Sequence, residues 1–331
     1  MKPWRKGDAM YSGWIYKFKV NRPVTDDELQ EALPREPQRN VEATDRGSLT
    51  RFNSTYVEFI DRCFSLRGSM GMLIVLAGFC FLFGASIFLF VNAFTDFAQG
   101  HWLLIISTAF FVFLLSLIPV LLALRKEFFT YTHYPIRYNR KTRKVYVFRH
   151  NGPGGVLVVP WEEGYFHRGH GMSDKSLLDV RCHVMEGNTV KDTFATGHSY
   201  GIEAPVNELW EFIRRYMDEG PKNVKPPFVS MTASPTWRNC WRMSFIRVGA
   251  ASTLAQIILL PIEGPLVVLR WLVFKTCKKP VWPPEVEAEC QIAENDPYRL
   301  SEPVNIGEGY ETNKQALDAQ VRKGQRERRM K

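Results

Sequence analysis

GMLIVLAGFCFLFGASIFLFVNAFT (residues 71–95), DFAQGH (96–101) and WLLIISTAFFVFLLSLIPVLLAL (102–124) decide how this chain is read. Neither long run holds a charged residue, and a helix needs about 20 apolar residues to cross a bilayer core. The link between them is short enough only for a tight turn. The pattern predicts an antiparallel transmembrane hairpin over residues 69–125. The plain alternative, two buried helices of a water-soluble protein, seldom needs two such runs side by side.

Charge sets the expected orientation. Arg51, Arg62 and Arg67 precede the first run, Arg125 and Lys126 follow the second, and the turn holds only Asp96 and His101. Lys and Arg stay on the cytoplasmic side, so both termini are expected in the cytoplasm and residues 96–100 outside. No ionisable residue lies within either run, which argues against a dedicated transporter.

The 331 residues carry 43 Lys and Arg against 34 Asp and Glu, a net charge of +9. The isoelectric point is about 9.2 and the mean hydropathy −0.19. Beside a membrane, this positive balance suits an anionic leaflet at least as well as nucleic acid; because the basic hairpin would be tethered near the bilayer, no nucleic-acid partner is expected. The six cysteines are scattered without a CxxC pair, which predicts reduced thiols rather than a disulfide framework.

Residues 1–68 read as a cytoplasmic N-terminal segment. Residues 11–20 suit a short strand, and Thr25 with Glu28 three positions on suits a helix capping box. Residues 23–45 otherwise look like a solvated loop. Residues 56–64 (YVEFIDRCF) place Tyr56, Phe59, Ile60 and Phe64 near one helical face.

Residues 127–221 show short alternating segments between turn signals, the pattern of a sheet. Strands are expected at 135–138, 144–149, 156–161, 177–185 and 189–196. A helix follows, with Pro205 in its first turn and Val206, Leu209, Trp210, Ile213, Tyr216 and Met217 at helical spacing. Antiparallel strands closed by one amphipathic helix give the order of a pleckstrin-homology-like barrel. The expected fold class is therefore an α+β membrane protein, a helical hairpin plus a cytoplasmic antiparallel β domain. Residues 237–279 hold a third apolar region interrupted by Pro261, Glu263 and Pro265, expected to be a broken helix associated with the membrane. Residues 280–331 are polar and end in a basic tail.

The stretches IRYNRKTRKVYVFR (136–149), VVPWEEG (158–164) and ELWEFIRRYMDEGP (208–221) resemble an uncharacterised bacterial family of two-span membrane proteins with a pleckstrin-homology-like domain. Genes of that family often sit beside type VI secretion genes. The resemblance implies a multi-pass protein of the bacterial inner membrane and carries over no functional residue.

Candidate chemistry is sparse. His167 and His170 lie three apart with Cys182 and His183 as the nearest further ligands. Adjacent strand residues face opposite ways, so only one of the latter pair could join a metal, and no metal or other cofactor is expected. Glu162 and Glu163 read as solvated residues at a strand end. No GxSxG, Walker loop or GxGxxG is present, and no enzyme activity is expected. Arg137, Arg140, Lys141, Arg143, Lys144 and Arg149 form a basic hairpin, a candidate site for a phosphate headgroup or a partner protein; the alternative is a solvated turn. The expected function is a membrane-anchored binding or scaffold protein that meets the lipid bilayer and an unidentified protein. Two other classes stay open: an antibacterial effector that permeabilises the inner membrane, and an immunity protein or chaperone for such an effector.

Overall fold

The computed structural model describes residues 11–12, 17–65, 67–68, 125, 127–171, 175–225, 227, 231–248, 253–300 and 302–307, with scattered positions between 78 and 124. The chain divides into two compact units. One comprises Met1–Ser65, His133–Ser234 and Lys279–Lys331, and the other Leu66–Thr132 and Pro235–Lys278.

The first unit is α+β. Strands β1 (Tyr11–Ser12) and β2 (Phe18–Lys19) pair with each other, and helix α1 (Asp26–Gln30) follows. Thr25 and Glu28 form the expected reciprocal capping box on α1. A five-stranded antiparallel sheet then runs in chain order: β3 (Leu49–Phe52), β4 (Tyr56–Phe59), β5 (Ile136–Asn139), β6 (Lys144–Phe148) and β7 (Val156–Pro160). A second sheet holds β8 (Gly164–His170), β9 (Leu178–Glu186) and β10 (Thr189–Tyr200), also antiparallel neighbours. Helix α2 (Glu203–Asp218) packs its apolar stripe into the core, where Val206, Leu209, Trp210, Ile213 and Tyr216 meet Phe52, Phe59, Tyr138, Trp161 and Phe166. Trp161 and Trp210 stack at 5.6 Å between ring centres.

Both faces of the five-stranded sheet are covered. Ile136 and Tyr138 of β5 enter the core, while Arg137 and Asn139 point the other way and are buried as well. The C-terminal segment lies over that second face through helix α5 (Pro284–Glu289). Asn139 Nδ2 donates to the Glu289 carbonyl at 2.8 Å, Thr55 Oγ1 to the Gln291 carbonyl at 3.1 Å, and the Leu300 N–H to the Phe52 carbonyl at 2.7 Å. Residues 280–300, read from sequence only as polar, are thus a strap on the sheet.

In the second unit, helices α3 (Trp237–Val248) and α4 (Thr253–Thr276) pack together, with Trp237 edge-on to Trp271. Arg270 is buried and donates to the Arg67 carbonyl at 2.7 Å. Helix α4 runs through Pro261 and Pro265 without the expected break.

Three further expectations need correcting. First, the transmembrane hairpin is not supported. Among the described residues no helix is long and apolar enough to cross a membrane. A crossing helix must offer lipid an unbroken apolar length; α2 is amphipathic, α3 has 12 residues, and α4 carries Glu263 and Arg270. Most of residues 69–124 lie outside the described residues; Phe81, Phe88, Phe110 and Phe111, which are described, are helical and exposed. The multi-pass inner-membrane localisation falls with the hairpin, and the fold class becomes α+β with antiparallel sheets. Second, residues 56–59 are strand β4, not helix. All four are buried, and the face away from the core sets Tyr56 beside Glu58, so the two-residue period is blurred. Third, residues 23–45 are not a solvated loop, because Leu33 and Ala43 belong to the core. The basic tail from residue 314 lies outside the described residues. The five described cysteines are free thiols, as expected.

Candidate functional site

The basic hairpin comes together as β5, β6 and their turn, but most of its charge is spent internally. Arg137 is fully buried: Nε lies 2.9 Å and Nη2 2.8 Å from Glu58 Oε2, and the guanidinium sits between the rings of Tyr56 and Trp282 at 4.2 and 4.6 Å. Arg143 donates to Glu162, Asp218 and the Met217 carbonyl. Lys144 pairs with Glu289 at 2.7 Å and Arg149 with Asp192 at 3.0 Å. Arg140 reaches the Ser54 carbonyl at 3.2 Å, and Lys141 is exposed. These side chains lock strands, α2 and the strap together. Arg137 faces away from the core by strand alternation, yet the strap covers it.

A different cluster forms on the outer face of the three-stranded sheet. In β8 and β9, Phe166 and Cys182 point into the core, so His167 and His183 point outward. Tyr165 pairs with His183 across the strands, which makes His167 and His183 diagonal neighbours. Their ring centres lie 4.4 Å apart. His170, three residues from His167, takes the opposite side and is exposed.

An N-terminal arm closes over this face. Arg22 bridges to Val190, Ala32 bridges to His167, and α1 lies between. Glu28 reaches down from α1, its Oε1 3.2 Å from His183 Nε2. Arg22 forks onto both oxygens of Glu28 at 2.7 and 2.6 Å, and the Thr25 N–H adds 3.0 Å. Burial alone would raise the Glu28 pKa; the hydrogen bonds from His183, Arg22 and Thr25 outweigh it and hold the carboxyl well below the usual range.

Hydrogen bonding assigns the His167 tautomer. Nδ1 lies 3.1 Å from the Arg168 carbonyl, which can only accept. Nδ1 therefore carries the proton and Nε2 the lone pair. That Nε2 is buried without a hydrogen-bond partner. Burial, then the neighbouring His183 and Arg181, push the imidazolium pKa down to about 3, so the ring is neutral near pH 7. The ligand atoms of Glu28, His167 and His183 lie within 4.8 Å of one another. Two imidazole nitrogens and a carboxylate form a donor set for a divalent first-row metal.

Sequence reasoning paired His167 with His170, named Cys182 or His183 as one further ligand, and expected no metal; the structure instead sets His167 beside His183 and leaves His170 apart. Sequence reasoning missed Glu28, which it used only as a cap. The missing signal was the pairing of the arm with β8 and β10, a long-range contact.

Next to this cluster the arm continues along β8 and α2. The Leu33 N–H donates to the Phe166 carbonyl, and the Arg168 N–H to the Glu31 carbonyl, both at 2.9 Å. Leu33 enters the core. Arg35 lies over Trp161 at 4.3 Å and donates to the carbonyls of Trp161 and Gly164. Trp210 Nε1 holds the Pro34 carbonyl at 2.7 Å, and Arg215 holds those of Gln38 and Val41.

No curated protein matches this chain, and no solved structure does. One family model matches residues 112–294, more than half of the sequence. The chain therefore belongs to the family of unknown function DUF6708.

Proposed function

We propose that this protein is a binding and scaffold module whose first unit docks an extended segment of a partner protein by strand addition. One observation carries the reading. The groove between β8 and α2 is already filled by residues 31–41, which pair with β8 as a strand only around Ala32 and are held there by backbone hydrogen bonds, an apolar anchor at Leu33 and a stacked arginine at Arg35. Main-chain pairing to a sheet edge with pockets for particular side chains is a recurring mode of peptide recognition. The chain order of a five-stranded antiparallel sheet (β3–β7), a three-stranded one (β8–β10) and a closing helix supports the pleckstrin-homology-like reading of this unit, with β3 as an added strand. The internal pairing of Arg137, Arg143, Lys144 and Arg149 argues against a phosphate headgroup at the basic hairpin. A place beside type VI secretion genes rests on the sequence resemblance, and the genes flanking this one test it.

The docking reading is tested by loosening the arm in the full chain with L33D and R35E. A labelled peptide of residues 29–42 is then titrated by fluorescence anisotropy. Saturable binding is expected to the variant, weaker binding to the wild type, and none from a peptide carrying the same two changes. A variant that keeps its sheet by circular dichroism and shows no saturable binding overturns the reading.

A further inference from the structure

We infer that Glu28, His167 and His183 form a site for one divalent transition ion of the zinc class, which pins the N-terminal arm to the outer face of the three-stranded sheet. Three observations carry this. The donor atoms of the three residues lie within 4.8 Å of one another, and His183 Nε2 and Glu28 Oε1 stand 3.2 Å apart. A tetrahedral ion bonded at about 2.0–2.2 Å spaces its donors by roughly 3.3–3.5 Å, so the second pair is in place and the rest need a modest closure. His167 Nε2 is a buried acceptor with no partner in a residue 1% exposed. Buried polar atoms are nearly always paired, and an exception asks for an unseen ion or water.

The surroundings support the two imidazoles as ligands. A ligating histidine usually donates its other ring N–H to a carbonyl, carboxylate or hydroxyl, which fixes the ring. His167 Nδ1 does so to the Arg168 carbonyl. His183 Nδ1 lies 2.8 Å from Thr193 Oγ1. A hydroxyl can donate or accept, so His183 can shift its proton from Nε2 to Nδ1 and free Nε2 for the ion. Tyr165 stacks parallel to His183 and donates to the Glu28 carbonyl at 3.0 Å, holding helix and sheet in register. Arg22 also holds the Glu28 carboxylate. The ion therefore shares that ligand with a positive neighbour, which weakens its affinity without blocking the site. Three protein ligands leave a fourth position for water, on the side where Glu28 is part exposed. The site needs no docked partner, so a failure of peptide binding leaves it standing.

The experiment uses the full chain stripped with a chelator and titrated with zinc chloride by calorimetry, and with cobalt(II) chloride by visible absorption. One equivalent of each metal is expected, with the intense d–d bands of tetrahedral cobalt. His167→Ala and His183→Ala should each weaken binding about 100-fold or more, while His170→Ala leaves it unchanged. Zinc should also slow tryptic cleavage after Lys17 and Lys19 in the wild type, a readout that needs no variant. Absence of stoichiometric metal uptake by the wild type overturns the inference. So does equal loss in His170→Ala and His167→Ala, or binding that persists in both His167→Ala and His183→Ala.

Discussion

Replacing Arg137 with Met should open the five-stranded sheet far more than any surface change. Glu58 is 3% exposed and its carboxylate faces the Arg137 guanidinium at 2.8–2.9 Å. Removing one member of a buried pair costs about 3–5 kcal/mol, because the other charge stays buried and unpaired. Glu58 would keep the Trp282 N–H at 3.0 Å, Thr50 Oγ1 at 3.4 Å and the half-exposed Arg51 at 3.6 Å. These partners place the cost at the lower end, about 3 kcal/mol. With about 1.4 kcal/mol per tenfold, amide exchange in β4, β5 and β6 should accelerate by about 100-fold. Hydrogen exchange read by mass spectrometry suits a chain of two units, since it reports opening region by region. The pH dependence has a definite sign. Burial pushes the Glu58 pKa up, and Arg137 and Arg51 outweigh it, so the wild-type value lies below normal. The stabilisation is present above the unfolded value of about 4.3 and is lost as pH falls through the folded one. Without Arg137 burial prevails, the folded pKa rises above the unfolded one, and the variant regains stability as pH falls. The exchange ratio of variant to wild type should therefore shrink between pH 7 and pH 5. The double variant Glu58→Gln with Arg137→Met should exchange more slowly than Arg137→Met alone. An acceleration under tenfold, or a double variant worse than the single, would refute this account of the pair.

Two further predictions concern an irregularity in β10 and a turn of the same unit. Gly197 has φ +72°, and a Cβ there would stand 2.8 Å from Leu209 Cδ2 and Ser48 Oγ. Gly197→Ala should cost about 2–4 kcal/mol from left-handed strain and overpacking; exchange in β9 and β10 is the readout, and a change under threefold would count against it. Asp45 is desolvated enough to push its pKa up to about 6, despite accepting backbone N–H groups from its own residue, Gly47 and Leu49. Its folded pKa exceeds the unfolded value of about 3.9, so ionisation destabilises the fold increasingly from pH 4 to pH 6 and steadily above. Asp45→Asn should raise the melting temperature at pH 7.5 and lose that advantage by pH 4; an equal effect at both pH values would contradict the burial of this carboxyl.

Local signals told the truth about local structure. The hairpin of residues 135–149, the pair of long strands around Gly187, helix α2 and the Thr25–Glu28 capping box were all legible, because turn residues, two-residue alternation and helical spacing act over a few positions. Apolar runs were less reliable guides. Residues 56–59 imitate a helix face because both sides of β4 are buried. The uncharged runs of residues 71–95 and 102–124 met a length criterion that no described helix satisfies.

Partnership was decided by tertiary structure alone. Arg137 and Lys141 look alike in sequence, yet one is sealed against Glu58 by Trp282 and the other is exposed. Glu28 joins His167 and His183 only because the arm pairs with β10 at Arg22 and with β8 at Ala32. The amino-acid sequence by itself determined which residues alternate, cap and turn. Which charges meet, and which histidine nitrogen is left with an unfilled lone pair, depended on segments far apart in the chain. Those contacts are set by burial of the whole core, a collective property that no short window of residues encodes.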